Sequence, residues 1–267
     1  METEKSNPNA REYVADLAAG GRYHFASTDA QSALGITATA AKLALNRLAK
    51  QGIVASPARG FYVIVPPEYR ALGCLPADQF IPALMKQLNF PYYAGLLSAA
   101  QYHGAAHHRP QQFQVMLHAN RRAIHCGKVD VTFIARKNIV DVPVQEFNTP
   151  RGTIRVSTPE ATAFDLVGYL QHVGGLDNVA TILSELVERI DSEKLVTAAA
   201  AAPLPWAQRL GYLLDRIGAT ATASPLRSYV HQNARQTAPL LATKRYLHSN
   251  RDNVWKLYIN ATVEAET

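Results

Sequence analysis

Cysteine is nearly absent. The 267 residues hold two, Cys74 and Cys126, and their separation matches no zinc or dithiol redox spacing, so the expectation is two free thiols. No apolar run approaches the length of a membrane span. The opening METEKSNPNA is polar and lacks the apolar core of a secretion signal, so an intracellular, cytoplasmic protein without membrane contact is expected. There is no glycine-rich phosphate loop, no G-x-S-x-G and no nucleophilic-cysteine context. Nothing here asks for an enzyme or a cofactor, and none is expected.

Acidic residues are also missing from one stretch. Between Thr37 and Gly60 there is no Asp or Glu. The whole chain carries a net charge of +6, which is compatible with a nucleic-acid partner without establishing one. Basic residues cluster at Arg109, Arg121, Arg122, Lys128, Arg136 and Lys137, and again from Arg227 to Lys256. Acids gather between, from Glu160 to Glu193. This segregation predicts a basic face and an acidic face.

The acid-free stretch begins inside DAQSALGITATAAKLALNRLAKQG, residues 29–52. Thr28 is placed to cap a short helix over 29–34 that stops at Gly35. Thr37 is placed to cap a longer one that ends at Gly52. At about 100° per residue, Ala41, Ala44, Leu45 and Leu48 share one face. The other carries Thr39, Lys42, Leu43, Asn46 and Lys50, with Arg47 at its edge and Thr37 in the first turn. A solvated helix of this length normally mixes Glu with Lys; this one does not. The next segment, IVASPARGFYVIVP, alternates like a hairpin with Arg59 at its turn. Helix, turn, helix and hairpin is the order of a winged helix-turn-helix. Lys, Arg, Asn and Thr are the side chains that read base edges and phosphates in a major groove.

Pro66-Pro67 breaks this pattern. Two domains are predicted: a winged helix-turn-helix DNA-binding domain over 1–70 and a larger domain over 78–267. The second reads as α+β. Helices are predicted at 78–87 and 93–103. Strands follow in QFQVMLHAN, KVDVTFIAR, 142–147 and 152–156, forming a small, mainly antiparallel sheet. Helices are predicted at 158–172, 176–189, 192–200, 204–217 and 224–231, and a strand at 254–260. Arg121 and Arg122 fall between two of the strands and are this domain's candidate phosphate contacts.

Catalytic constellations are thin. His103, His107 and His108 form a histidine group with few other potential ligands nearby. Glu160, Asp165 and Asp130, with Lys128, are the set that a metal-dependent nuclease would need. The structural reading treats Ser157-x-x-Glu160 as a capping box and Asp165, set among Ala161, Phe164, Leu166 and Val167, as a buried acid that requires a partner such as an arginine. Tyr246, Trp255 and Tyr258 alternate with basic residues, but the apolar neighbours Val254, Leu257 and Ile259 favour core packing over base stacking.

The arrangement resembles the AbiEi family of antitoxins from type IV toxin–antitoxin (abortive infection) systems. The resemblance lies in LALNRLAKQGIVASPARGFYVI, YYAGLLSAAQYHG, VSTPEATAFDLVGY and NVWKLYIN, in that order. It implies a repressor that binds inverted repeats in its own promoter, with an antitoxin activity in the C-terminal domain. It also implies a neighbouring nucleotidyltransferase-like toxin, which need not be touched directly. DNA contact then falls on Thr37, Thr39, Lys42, Asn46, Arg47 and Arg59, with Lys50, Arg121 and Arg122 on phosphates. The protein would be nucleoid-associated and act as a monomer or homodimer. The alternatives are a metal-dependent nuclease with a winged-helix targeting domain, and a protein-interaction scaffold that uses the acidic helices.

Overall fold

The computed structural model describes residues 9–105 and 111–264. Its first unit alternates helix and strand: α1 (Ala10–Ala19), β1 (His24–Ala26), α2 (Ser27–Leu34), α3 (Ala38–Lys50), β2 (Val54–Ala58) and β3 (Phe61–Ile64). The three strands form an antiparallel sheet in the order β1-β3-β2. Asn9 and Glu12 close a capping box on α1. Thr37 caps α3 as expected, its Oγ1 accepting the Ala40 amide at 3.3 Å. Thr28 does not cap α2. That helix starts at Ser27, and Asp29 reaches back to the Ala26 amide at 3.1 Å while its carboxylate also holds Arg22 at 2.5 Å. A charged acceptor satisfies the free amide more strongly than a hydroxyl does.

The rest of the chain follows as α4 (Ala77–Leu88), β4 (Tyr92–Ala94), α5 (Leu96–Tyr102), β5 (Phe113–Leu117), β6 (Ile124–Cys126), β7 (Val129–Ala135), β8 (Val144–Thr149) and β9 (Gly152–Ser157). A helical layer comes next, with α6 (Pro159–Gly168), α7 (Leu176–Leu186), α8 (Ser192–Ala199), α9 (Leu204–Arg216) and α10 (Thr220–Asn233). The short strands β10 (Ala238–Pro239), β11 (Asn250–Asp252) and β12 (Leu257–Ile259) close the chain. The architecture is mixed α+β.

The central sheet is six-stranded, in the order β6-β7-β5-β4-β9-β8. It is mixed: β5 runs parallel to β7 and β4 parallel to β9, while the other three pairings are antiparallel. QFQVMLHAN and KVDVTFIAR are therefore adjacent but parallel, because β6 supplies the hairpin partner of β7. Tyr93 is not helical. Tyr92–Ala94 is a strand, and the helix starts only after Gly95. A Cβ at Gly95 would come within 2.5 Å of the Met116 side chain, so this turn lies flat on β5.

The sheet of the first unit has apolar groups on both faces, and β3 is buried along its whole length. Tyr62 and Ile64 belong to the core formed with Phe25, Leu45 and Leu48. Phe61, Val63 and Val65 belong to a second core with Leu75, Phe80, Ile124 and Cys126. The hairpin is thus sandwiched between α1–α3 and the central sheet. The segment after Pro66 is packed as well: Cys74 and Leu75 are buried, and the Leu72 carbonyl accepts the Lys128 amide at 2.7 Å. Cys74 and Cys126 are both buried free thiols. The third core holds the helical layer around Leu183, Leu210, Leu226 and Trp255. Trp255 is buried and its indole N–H donates to Asp215 at 2.7 Å, whereas Tyr246 is exposed and lies against Tyr258.

Candidate nucleic-acid interface

Helix α3 buries Ala41, Leu45 and Leu48 against the first core. That fixes its rotation and leaves Thr37, Thr39, Lys42, Asn46, Arg47 and Lys50 exposed on one side. None of the three basic side chains forms an ion pair among the described residues. Leu43 shares this exposed side, at 53% exposure. Thr37 accepts a backbone amide with its hydroxyl oxygen, which leaves its O–H free as a donor. Arg47 and Lys50 stand in the last turn, where cations suit the helix dipole. Arg59 is exposed in the β2–β3 turn, next to Gly60 in the left-handed conformation at φ 75°.

The β5–β6 loop carries the second candidate group. Arg122 is exposed, while Arg121 lays its guanidinium 5.6 Å from the Phe133 ring centroid and is half-buried. Strand β6, which this loop enters, lies against β2, where Cys126 meets the Ser56 backbone. The loop and the hairpin are therefore neighbours.

One contact that the sequence did not suggest holds the first unit in place. Arg151, in the β8–β9 turn, sits with its guanidinium carbon 3.4 Å from the Tyr23 ring centroid and pairs with Glu68 at 3.3 Å. Neither local pattern nor charge run marks these three residues, which lie far apart in the chain.

The acids from 160 to 193 do not make one face. Glu160 and Asp165 are buried. Ser157 and Glu160 do not form a capping box: Thr158 caps α6, Ser157 bonds to Thr162, and Glu160 accepts the Asp191 amide at 3.0 Å. Shifting the cap by one residue frees Glu160 to tie α6 to the start of α8. Asp165 has the arginine partner its burial requires. Arg136 pairs with it, and Tyr93 donates to it at 2.8 Å. Arg136 also donates to the Ala201 carbonyl at 3.0 Å and lies 5.3 Å from the Trp206 ring centroid. Burial pushes the Tyr93 hydroxyl well above its usual range, so it stays protonated and donating.

The carboxylates of the nuclease alternative are engaged separately. Asp130 bonds His125 at 2.6 Å, Glu160 caps α8 from outside, and Asp165 is neutralised. Among the described residues no three His, Cys, Asp or Glu side chains stand at metal-binding spacing. His103 is buried with Nε2 2.7 Å from the Ser157 carbonyl. His107, His108 and Arg109 lie outside the described residues.

Residues 93–216, which begin at Tyr93 and include the whole Asp165–Arg136 network, match the family model of the AbiEi antitoxin C-terminal domain. This segment, just under half of the chain, is an AbiEi-type antitoxin C-terminal domain. The AbiEi domain supports an antitoxin role in a toxin–antitoxin pair. Among solved structures, the RV2827C protein from Mycobacterium tuberculosis has a similar fold, with a TM-score of 0.64 at 19% identity over 93% of this chain and 90% of that one. An antigenic nucleotidyltransferase-like protein from Paracoccidioides brasiliensis aligns at a TM-score of 0.39 and 10% identity, over 59% of this chain and 95% of that one, which is too low to bear on function. No curated protein matches this chain. No helix among its described residues is long and apolar enough to cross a membrane.

Proposed function

We propose that this AbiEi protein is a transcriptional repressor as well as an antitoxin. Residues 1–70 would be a winged helix-turn-helix that reads inverted repeats in its own promoter, and 78–267 would carry the antitoxin activity. The reading rests on one observation: an exposed, acid-free α3 face whose opposite side is locked into a core. The order α1-β1-α2-α3-β2-β3, with β3 central in an antiparallel sheet, supports taking α3 as the recognition helix and β2–β3 as the wing.

In this reading Lys42 and Asn46 reach base edges, since Lys donates to guanine acceptors and Asn bonds adenine bidentately. Leu43 places its methyls against a thymine methyl. Thr37 and Thr39 contact the backbone at the helix entry, where free amides favour phosphate. Arg47, Lys50 and the wing residue Arg59 hold phosphates, and Arg122 extends the contact from the β5–β6 loop with Arg121 behind it. The partner in the antitoxin role is a nucleotidyltransferase-like toxin that need not be bound directly. The protein acts in the cytoplasm at the nucleoid, as a dimer or as two monomers on the repeated site.

A promoter–reporter assay tests this. Supplying the protein in trans is expected to repress its own upstream region, and Lys42→Ala/Asn46→Ala is expected to abolish repression at equal protein level. Equal repression by both would overturn the reading.

A further inference from the structure

Several arginines are drawn into the body of the protein, and three of them have a carboxylate. Arg136 pairs with Asp165, Arg151 with Glu68 and Arg227 with Asp215. Of the two that are buried among the described residues, Arg136 and Arg209, only Arg209, in α9, lacks one. It is 9% exposed. Its Nε donates to the Pro239 carbonyl at 3.1 Å, and among the described residues neither terminal nitrogen has a protein partner. Among the described residues no acid opposes its charge, and burial lowers the guanidinium's affinity for its proton. An uncompensated buried cation is costly, and side chains in this state usually face a counter-charge.

Arg209 lines a cleft of about 360 Å³. Val167, Leu170, Gly174, Gly175 and Leu241 to Thr243 line it with Arg209. Gly175 is the N-cap of the eleven-residue helix α7, and no side chain caps that end. Both cap-side glycines have positive φ, 79° and 96°, so the backbone approaches the cleft with no Cβ in between. The Gly175 amide itself is engaged by the Leu170 carbonyl at 3.0 Å, and the next three residues of α7 do not line the cleft, so the charged donor facing it is the Arg209 guanidinium. Asp177, the acid of that first turn, does not line the cleft; its Oδ1 accepts the Glu264 amide at 3.0 Å. Among the described residues no acid lines the cleft.

We propose that this cleft is a binding site for the oxyanion group of a small organic ligand, a phosphate or a carboxylate. The terminal guanidinium nitrogens of Arg209 hold the anionic head, beside the side-chain-free backbone of Gly174 and Gly175. Leu170 and Leu241 receive the apolar body, and Gln171 and Thr243 stand at the polar rim. The volume suits a metabolite of about mononucleotide size or smaller. The site lies on the helical layer, away from α3, and is independent of the DNA reading.

The test is thermal unfolding of the full chain with sodium pyrophosphate, inorganic phosphate or citrate, in a buffer otherwise free of multivalent anions. At least one probe is expected to raise Tm saturably. Arg209→Gln is expected to weaken that binding about tenfold or more, the size of one charge-assisted hydrogen bond. In the anion-free buffer it is expected to change Tm little, because it removes only the bond to the Pro239 carbonyl and a charge without a carboxylate. Phosphate probes against citrate distinguish the two head groups. Lys42→Ala/Asn46→Ala is expected to keep the full response, which separates this site from the α3 face. If Arg209→Gln fails to fold, amide shifts of Gly174 and Gly175 in the wild-type protein report the same event. No saturable response in the wild type, an equal response in Arg209→Gln, or unmoved glycine amides would overturn the proposal.

Discussion

Arg151 stacks on Tyr23 at 3.4 Å from guanidinium carbon to ring centroid, although the two residues are far apart in sequence. With the shared burial of β3, this contact makes the first unit a fixed outgrowth of the central sheet. If the first unit reads DNA, its orientation toward the β5–β6 loop is set by this clasp. Arg151→Ala removes the stacking and the Glu68 pair together. The expected loss is about 1–2 kcal/mol, with faster hydrogen exchange at Tyr23 to Ala26 and little change in the helical layer. Uniform exchange changes across the chain would contradict a local clasp.

The Asp165–Arg136 pair stands at the start of the helical layer, with Asp165 fully buried. Asp165→Asn leaves a guanidinium buried without its counter-charge. Chemical denaturation is expected to show a loss of about 3–5 kcal/mol. The double change Arg136→Met/Asp165→Leu is expected to cost less than the single one, since both charges leave together. A double change as costly as the sum of the singles would place the cost in packing instead.

His103 predicts a pH effect with a definite sign. Burial holds its imidazole below the ordinary value of 6.5, despite the Ser157 carbonyl bond that favours the charged form. The unfolded chain therefore takes up a proton at higher pH than the folded one. The His103 contribution is complete above about pH 6.5 and is lost as pH falls from there through the depressed folded value. Between those limits the Tm of the wild type is expected to fall more steeply with acid than that of His103→Gln. Parallel curves would show that His103 titrates alike in both states.

Lys50 and Arg59 are assigned to phosphates rather than bases. Each, changed to Ala, is expected to weaken binding to all duplexes alike and to reduce the slope of log K against log salt by about 1. Titrations at several salt concentrations read this directly. A change in sequence preference with an unaltered slope would move either residue to base contact.

Much of the first unit was legible because its signals are local. Thr37, Gly35 and Gly52 bound α3, and the spacing of Ala41, Leu45 and Leu48 sets its buried side, so the exposed residues followed from the helical period. Asp165 was legible as a buried acid that needs a cation, yet Arg136 as its partner depends on the packing of β7 against α6. Tyr93 and Ala94 read as helix because a short apolar run has no period of its own, and the pairing of Tyr92 to Ala94 with β5 and β9 decides its conformation. The same limit hid the parallel pairing of β5 with β7 and the Arg151–Tyr23 contact, which local sequence does not encode. The acidic 160–193 segment misled because charge counts carry no burial. The loop arginines Arg121 and Arg122 were placed between strands correctly, but only tertiary structure separates the one lying over Phe133 from the exposed one.

The central claim is that the acid-free face of α3 reads DNA. The most direct measurement is an equilibrium titration, by fluorescence anisotropy, of the protein onto its own upstream duplex and onto a scrambled duplex, with Lys42→Ala/Asn46→Ala alongside. The repressor reading predicts tight, salt-sensitive binding to the first duplex. It also predicts that the double variant loses about 1–3 kcal/mol of discrimination per base contact while keeping weak binding to both. Equal affinity of the wild type for the two duplexes, or an unchanged preference in the double variant, would contradict it.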